Sequence, residues 1–304
     1  MRILANDGLD IEAIEKLERN NIEVNANHYE KDELNKIIGN YDILIIRSAT
    51  TVDKELIEAA KGTKLSLIIR AGVGLDNIEV GYAENKGIMV RNTPNSSTNS
   101  VAELVLGHMI GISRFINISN VTMREGQWNK KAYTGVEICG KTLGIIGFGR
   151  IGKSLGEKAE ALGMDVVFYD KLIKIDNKFK YLPLEELLGK ADFISLHIPA
   201  THKPIIGEEE LKLMKEGVFI INAARGGIID ENALLESLNQ GKVAGAGLDV
   251  FMREPGPNLE LCSHPRVSCT PHIGAATVEA QKRIGEEIIG IVMEYATKTK
   301  TIAI

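Results

Sequence analysis

A chain of 304 residues, 44% hydrophobic and 25% charged, is long enough for about two domains and apolar enough to bury a core in each. Its net charge of −5 and pI near 5.8 argue against a nucleic-acid binder, which needs a basic face to neutralise phosphates. No run approaches the ~20 apolar residues of a membrane span, the N-terminus lacks the apolar stretch of a signal peptide, and Cys139, Cys262 and Cys269 show neither C-x-x-C pairing nor metal-like spacing, so a cytoplasmic protein with reduced thiols and no bound metal or membrane is expected.

From the first residue, short apolar runs alternate with helical patterns, the signature of βαβ units on mostly parallel sheets. The first series predicts strands at 3–5, 22–24, 43–46, 67–69 and 88–90, with helices between them such as 10–19 and 53–60. This is a five-strand, flavodoxin-like α/β domain. Two of its strands run into arginines, Arg47 and Arg70, and the glycines at 72 and 74 free backbone N–H groups for an anion. The pair suits a substrate with a second negative group, such as a phosphate; two surface arginines without a ligand are the other reading.

Residues 92–99 form a polar stretch containing Pro94, read as a turn, a helix cap and a hinge. The helix that follows, 101–124, carries apolar positions on most faces and is expected between domains or subunits; with Trp128 it suggests a homodimer. The second series predicts strands at 142–146, 166–169, 193–197, 218–222, 245–250 and 267–270, the six of a doubly wound Rossmann sheet. A last helix, 277–297, is expected to dock on the first domain. The predicted division is therefore 1–93 plus 276–304 for the substrate domain and 94–275 for the nucleotide domain.

The first strand of the second series leads into Gly147, Gly149 and Gly152. Gly147 makes the tight turn, Gly149 lets the backbone approach a pyrophosphate, and Gly152 allows close helix packing. The next strand ends in Asp170, at the spacing of a ribose 2′-OH acceptor, which would repel the 2′-phosphate of NADP and so favours NAD; the bland alternative is a turn cap. In an open parallel sheet, ligands bind beyond the carboxyl ends of the strands. Arg225, Glu254 and His272 each follow such an end and are expected to meet in one crevice. Together they supply a cation for a carboxylate, a proton carrier for a hydroxyl and an anion to tune that carrier, which is what hydride transfer at a 2-hydroxy acid requires. His108, inside an apolar helix, reads as core or interface. His197, at a strand end, reads as lining the cofactor cleft.

These residues resemble the D-isomer-specific 2-hydroxyacid dehydrogenases, and the likeness runs from Ile43-Leu44-Ile45-Ile46-Arg47-Ser48 through Arg70-Ala71-Gly72-Val73-Gly74 to Pro271-His272-Ile273-Gly274-Ala275. Asn222-Ala223-Ala224-Arg225-Gly226-Gly227 and Gly247-Leu248-Asp249-Val250-Phe251 are especially close, and within the family the branch that oxidises 3-phosphoglycerate for serine biosynthesis is the most similar. The resemblance implies that Arg225 binds the substrate carboxylate and that His272 is the acid/base paired with Glu254. It further implies NAD contacts from Val73, Arg150, Ile151, Asp170, Ile198, Ala223, Ala224, Arg225, Asp249 at the carboxamide, His272, Gly274 and Ala275. Arg47, Arg70, Gly72, Val73 and Lys130 match substrate positions, although Lys130 and Pro204 depart from the family pattern of Arg and of Ser or Thr. A hydroxypyruvate or glyoxylate reductase shares the trio, and an NAD-sensing, corepressor-like interaction protein is the alternative from another class.

Overall fold

The computed structural model describes residues 1–302, with side chains to 298; positions 303 and 304 of the expected 276–304 segment lie outside the described residues. The chain divides into two compact units, one made of Met1–Ser97 and Ala275–Ile304 and the other of Thr98–Gly274. The first break falls at Ser97/Thr98 rather than at 93/94, because the helix of the second unit opens at Thr98.

In the first unit, strands β1 (Arg2–Ala5), β2 (Glu23–Asn25), β3 (Ile43–Ile46), β4 (Leu67–Arg70) and β5 (Met89–Asn92) are all parallel, in the order β2-β1-β3-β4-β5. That is the flavodoxin-like order. All four residues of β3 are buried, as expected of a central strand covered on both faces. The helices Ile11–Arg19 and Lys54–Ala59 start where Asp10 and Asp53 accept from the N–H groups of Ala13 and Leu56, so the acids predicted as first helical residues act as caps. Helix Val278–Ile302 sets Ile284, Ile288 and Val292, spaced by one turn, into the cluster of Ile3, Ile43, Ile45, Leu67 and Ile69.

The second unit holds β6 (Thr142–Ile146), β7 (Asp165–Tyr169), β8 (Lys180–Tyr181), β9 (Phe193–Leu196), β10 (Val218–Asn222), β11 (Val243–Leu248) and β12 (Val267–Cys269). They are parallel in the order β12-β11-β10-β9-β6-β7-β8, the Rossmann order extended by one strand. The strand missing from the sequence reading is β8, an edge pair too short to show alternation. Strand order reverses between β6 and β9, the switch point where such sheets bind ligands.

The single helix expected over 101–124 is instead two, Thr98–Ser113 and Ile116–Arg124, bent by 65° with Phe115 at a φ of 55° in the break. The first is largely buried and no residue of the second is fully buried, so the all-round apolar pattern belongs to two different environments. Two glycines on one face of β11 let the first helix close in. A Cβ on Gly247 would lie 2.6 Å from that of His108, and one on Gly245 would lie 3.3 Å from that of Ile112. No single helix among the described residues is long and apolar enough to cross a membrane.

Candidate active site

At the end of β6, Gly147 has a φ of +95° and no room for a side chain: a Cβ would sit 2.5 Å from the carbonyl oxygen of His197, just past β9. A Cβ on Gly152 would sit 2.3 Å from the carbonyl oxygen of Gly147. Both glycines are demanded by packing. A Cβ on Gly149 would meet no protein atom within 4 Å, so it would fill only the cradle above the turn. Gly149 caps helix Arg150–Ala161 without a side chain, leaving the first N–H groups to an anion. These features fit a pyrophosphate, with Arg150 exposed and Ile151 half-buried beside it.

Asp170 accepts from the N–H groups of Phe148 (2.8 Å), Leu172 (2.8 Å) and Ile173 (3.0 Å). Burial alone would push its carboxyl up, but the three donors outweigh it and hold it below the usual range. The residue is thus both the turn cap and the fixed negative charge considered from sequence. Ile198 flanks the turn, its Cγ2 2.8 Å from where a Cβ of Gly147 would be.

His197 bonds through Nε2 to Ser195 Oγ at 2.9 Å, while its buried Nδ1 has no hydrogen-bond partner among the described residues. Burial pulls its pKa from the usual 6.5 down to about 4. As pH falls below 6.5 the unfolded chain takes up a proton that the native ring refuses until about 4, so stability drains across that window and is intact above it. The slope is about 1.4 kcal/mol per unit, roughly 3 kcal/mol in all. Thermal melts should therefore show the advantage of wild type over His197→Phe shrinking between pH 7 and pH 4.5; a constant gap rejects the assignment.

The trio is built from three successive strand ends. Beyond β10, the buried Asn222 donates through Nδ2 to the Arg225 carbonyl (2.8 Å) and accepts from the Ala224 N–H (3.0 Å), which fixes the Ala223-Ala224-Arg225 turn. A Cβ on Gly226 would fall 1.8 Å from the carbonyl oxygen of Phe251, so the loop after β11 lies directly on this turn. In that loop the Phe251 N–H donates to Glu254 Oε1 at 2.8 Å, and Glu254 Oε2 stands 2.7 Å from His272 Nδ1. Burial would raise the Glu254 carboxyl, but the bonds from His272 and Phe251 and the nearby charge of Arg225 hold it below the usual carboxylate range. With Nδ1 turned to a carboxylate, Nε2 is the nitrogen left to exchange a proton. About a third of each of these two side chains is exposed, enough to reach a ligand. Arg225, Glu254 and His272 are therefore gathered together, as expected.

His272 itself has a φ of 54°, unusual for a residue with a side chain. Its N–H donates to the Asp249 carbonyl (2.8 Å), and the Asp249 carboxylate accepts from the Thr270 hydroxyl (2.6 Å) and from the N–H groups of Ile273 and Gly274 (2.8 Å each). Asp249, expected at the nicotinamide carboxamide, is 1% exposed and serves this turn. The sequence assigns no role of their own to Asn222, Gly226 or Thr270; an asparagine closing an apolar strand is the one legible signal among them.

In the first unit, the loop after β3 is pinned by Asp7, which accepts from the N–H groups of Arg47 (2.6 Å) and Thr50 (3.1 Å), and by Asn77, which donates to both carbonyls. The half-buried Arg47 guanidinium has its pKa drawn down by burial, against Asp7 and Asp10, and its buried Nε has no hydrogen-bond partner among the described residues. Arg70 folds over Gly72, whose Cβ would fall 1.5 Å from Nη1. The Val73 carbonyl accepts from Asn92, and Ala275 opens the returning segment. Lys130 lies exposed in the 3-10 turn Lys130–Ala132, with no hydrogen bond or ion pair among the described residues.

A Rossmann sheet with this glycine turn, and a histidine–carboxylate pair beside an arginine at its strand ends, defines an NAD-dependent oxidoreductase. Residues 106–274 match the family model described as the NAD-binding domain of D-isomer-specific 2-hydroxyacid dehydrogenases, and the chain belongs to that family. It is 48% identical to a hydroxypyruvate reductase of Thermotoga maritima, over 95% of this chain and 96% of that one. It is 44% identical to a D-3-phosphoglycerate dehydrogenase of Methanocaldococcus jannaschii, over 94% of this chain but 55% of the other, so the chain spans about half the length of that relative. The solved D-lactate dehydrogenase of Aquifex aeolicus, complexed with NAD and lactic acid, matches with a TM-score of 0.83 at 29% identity, over 98% of this chain and 96% of that one.

Proposed function

We propose that the enzyme oxidises D-3-phosphoglycerate at C2 to the 2-oxo acid. The observation that carries this choice of substrate is the guanidinium of Arg47, just past the end of β3, whose buried Nε lacks a hydrogen-bond partner among the described residues; Arg70 ends the neighbouring β4. A buried, unsatisfied cationic donor costs stability unless an anion takes it up. In this reading Arg47 and Arg70, with the amides around Gly72 and Val73, take the phosphate. Arg225 holds the carboxylate and orients C2. His272 Nε2 accepts the hydroxyl proton, and Glu254 stabilises the imidazolium that results. Bound NAD supplies the hydride acceptor. We extend the reading to a homodimer, because helix Ile116–Arg124 leaves Ile116, Val121 and Met123 exposed and Trp128 stands out beyond it.

The 48% identical hydroxypyruvate reductase favours a second reading, reduction of an unphosphorylated 2-oxo acid by the same trio. Following NADH with 3-phosphoglycerate, glycerate and D-lactate separates the two. The phosphorylated acid is expected to lead by more than tenfold in kcat/KM, and the lead should vanish in the Arg47→Glu, Arg70→Glu double variant. An unchanged preference in that variant removes Arg47 and Arg70 from phosphate recognition, and the absence of any lead for the phosphorylated acid in wild type hands the case to the second reading.

A further inference from the structure

The imidazole of His108, buried on helix Thr98–Ser113, has both nitrogens engaged: Nδ1 is 2.8 Å from Ser268 Oγ and Nε2 is 3.0 Å from Thr270 Oγ1. Asn117, on the next helix, donates through Nδ2 to the same Ser268 oxygen, and Thr270 donates to Asp249 Oδ1. The accepting carboxylate of Asp249 fixes the sense of this chain. A carboxylate only accepts, so the single hydroxyl hydrogen of Thr270 goes to Asp249, and Thr270 must in turn accept from His108 Nε2–H. A neutral imidazole carries one N–H, so Nδ1 accepts from the Ser268 hydroxyl, whose oxygen accepts from Asn117. Burial, opposed by the charge of Asp249, lowers the His108 pKa and keeps the ring neutral. Every donor points toward Asp249, which holds the N–H groups of Ile273 and Gly274 and thereby the left-handed turn at His272.

We infer that His108 is a positioning residue for His272: through Thr270 and Asp249 it sets the turn from which the imidazole is presented to the substrate. The inference rests on the proposed role of His272 as proton carrier. Gly247 exists at its position so that the His108 side chain can enter, which ties the relay to the packing of the whole unit. A relay of this kind is stiff because each bond polarises the next in a low-dielectric interior.

The test compares Thr270→Val, His108→Leu, their combination and His108→Gln, following kcat together with hydrogen exchange at the amides of Ile273 and Gly274. Valine keeps the volume of threonine without its hydroxyl, and glutamine keeps a donor where Nε2–H stood. Each of the first two variants should lower kcat about tenfold and speed exchange. The double variant should be no slower than either alone, and His108→Gln should stay within about threefold of wild type. Wild-type kcat and exchange in His108→Leu, multiplied losses in the double variant, or no rescue by glutamine each overturn the relay. Should His108→Leu fail to fold, Thr270→Val paired with His108→Gln decides alone. If wild type turns over no 2-hydroxy acid, the proposed function fails while the exchange measurements still judge the relay.

Discussion

Replacing His272 with Asn lowers turnover by two to four orders of magnitude while the affinity for NAD, measured by fluorescence titration, stays within a few-fold. Asparagine is the informative choice because His272 sits at a φ of 54°, a region that Asn enters with little strain and Ala does not. The variant therefore removes the proton carrier without refolding the turn that Asp249 holds. Glu254 is left with its bond from the Phe251 N–H but without an imidazole to stabilise. Turnover within tenfold of wild type removes His272 from the chemistry.

Changing Gly226 to Ala costs about 1–3 kcal/mol of stability and about two orders of magnitude in kcat/KM. The new methyl group would lie 1.8 Å from the carbonyl oxygen of Phe251 and 2.8 Å from the N–H nitrogen of Met252. Both are backbone, so no rotamer relieves the clash and the loop carrying Glu254 must retreat from the Arg225 turn. Gly227 next door gives the contrast. Its φ of +74° suits Asn, and a Cβ there meets nothing within 4 Å, so Gly227→Asn should melt and turn over close to wild type. Equal activity in the two variants means that contact between the loops does not position the site.

The strand ends were legible because parallel strands buried on both faces read as continuous apolar runs, and the first polar residues beyond them stand out. That contrast marks Arg225, Glu254 and His272, which lie on three loops that the structure brings together. It could not mark the groups that hold them. Gly226 and Gly247 matter through atoms more than twenty residues and more than one hundred residues away, Phe251 O and His108 Cβ, and such distances in sequence carry no period. Thr270, the last residue of the strand expected over 267–270, shows its role only where Asp249 and His108 stand on either side of it. The break at Phe115 was hidden for a related reason. Apolar residues continue through it in sequence, and only the left-handed backbone at that one position separates a buried helix from an exposed one.

The three amide bonds to Asp170 have a consequence for any attempt to trade one dinucleotide for another. The carboxylate that would repel an extra phosphate also ties the glycine turn at Phe148 to the loop at Leu172 and Ile173. Removing the charge by truncation unfastens both segments at once. Conversion of coenzyme preference in this scaffold thus calls for a neutral side chain that can still accept those N–H groups, and the obvious shortening of the residue would cost the loop at Leu172 and Ile173 its anchor.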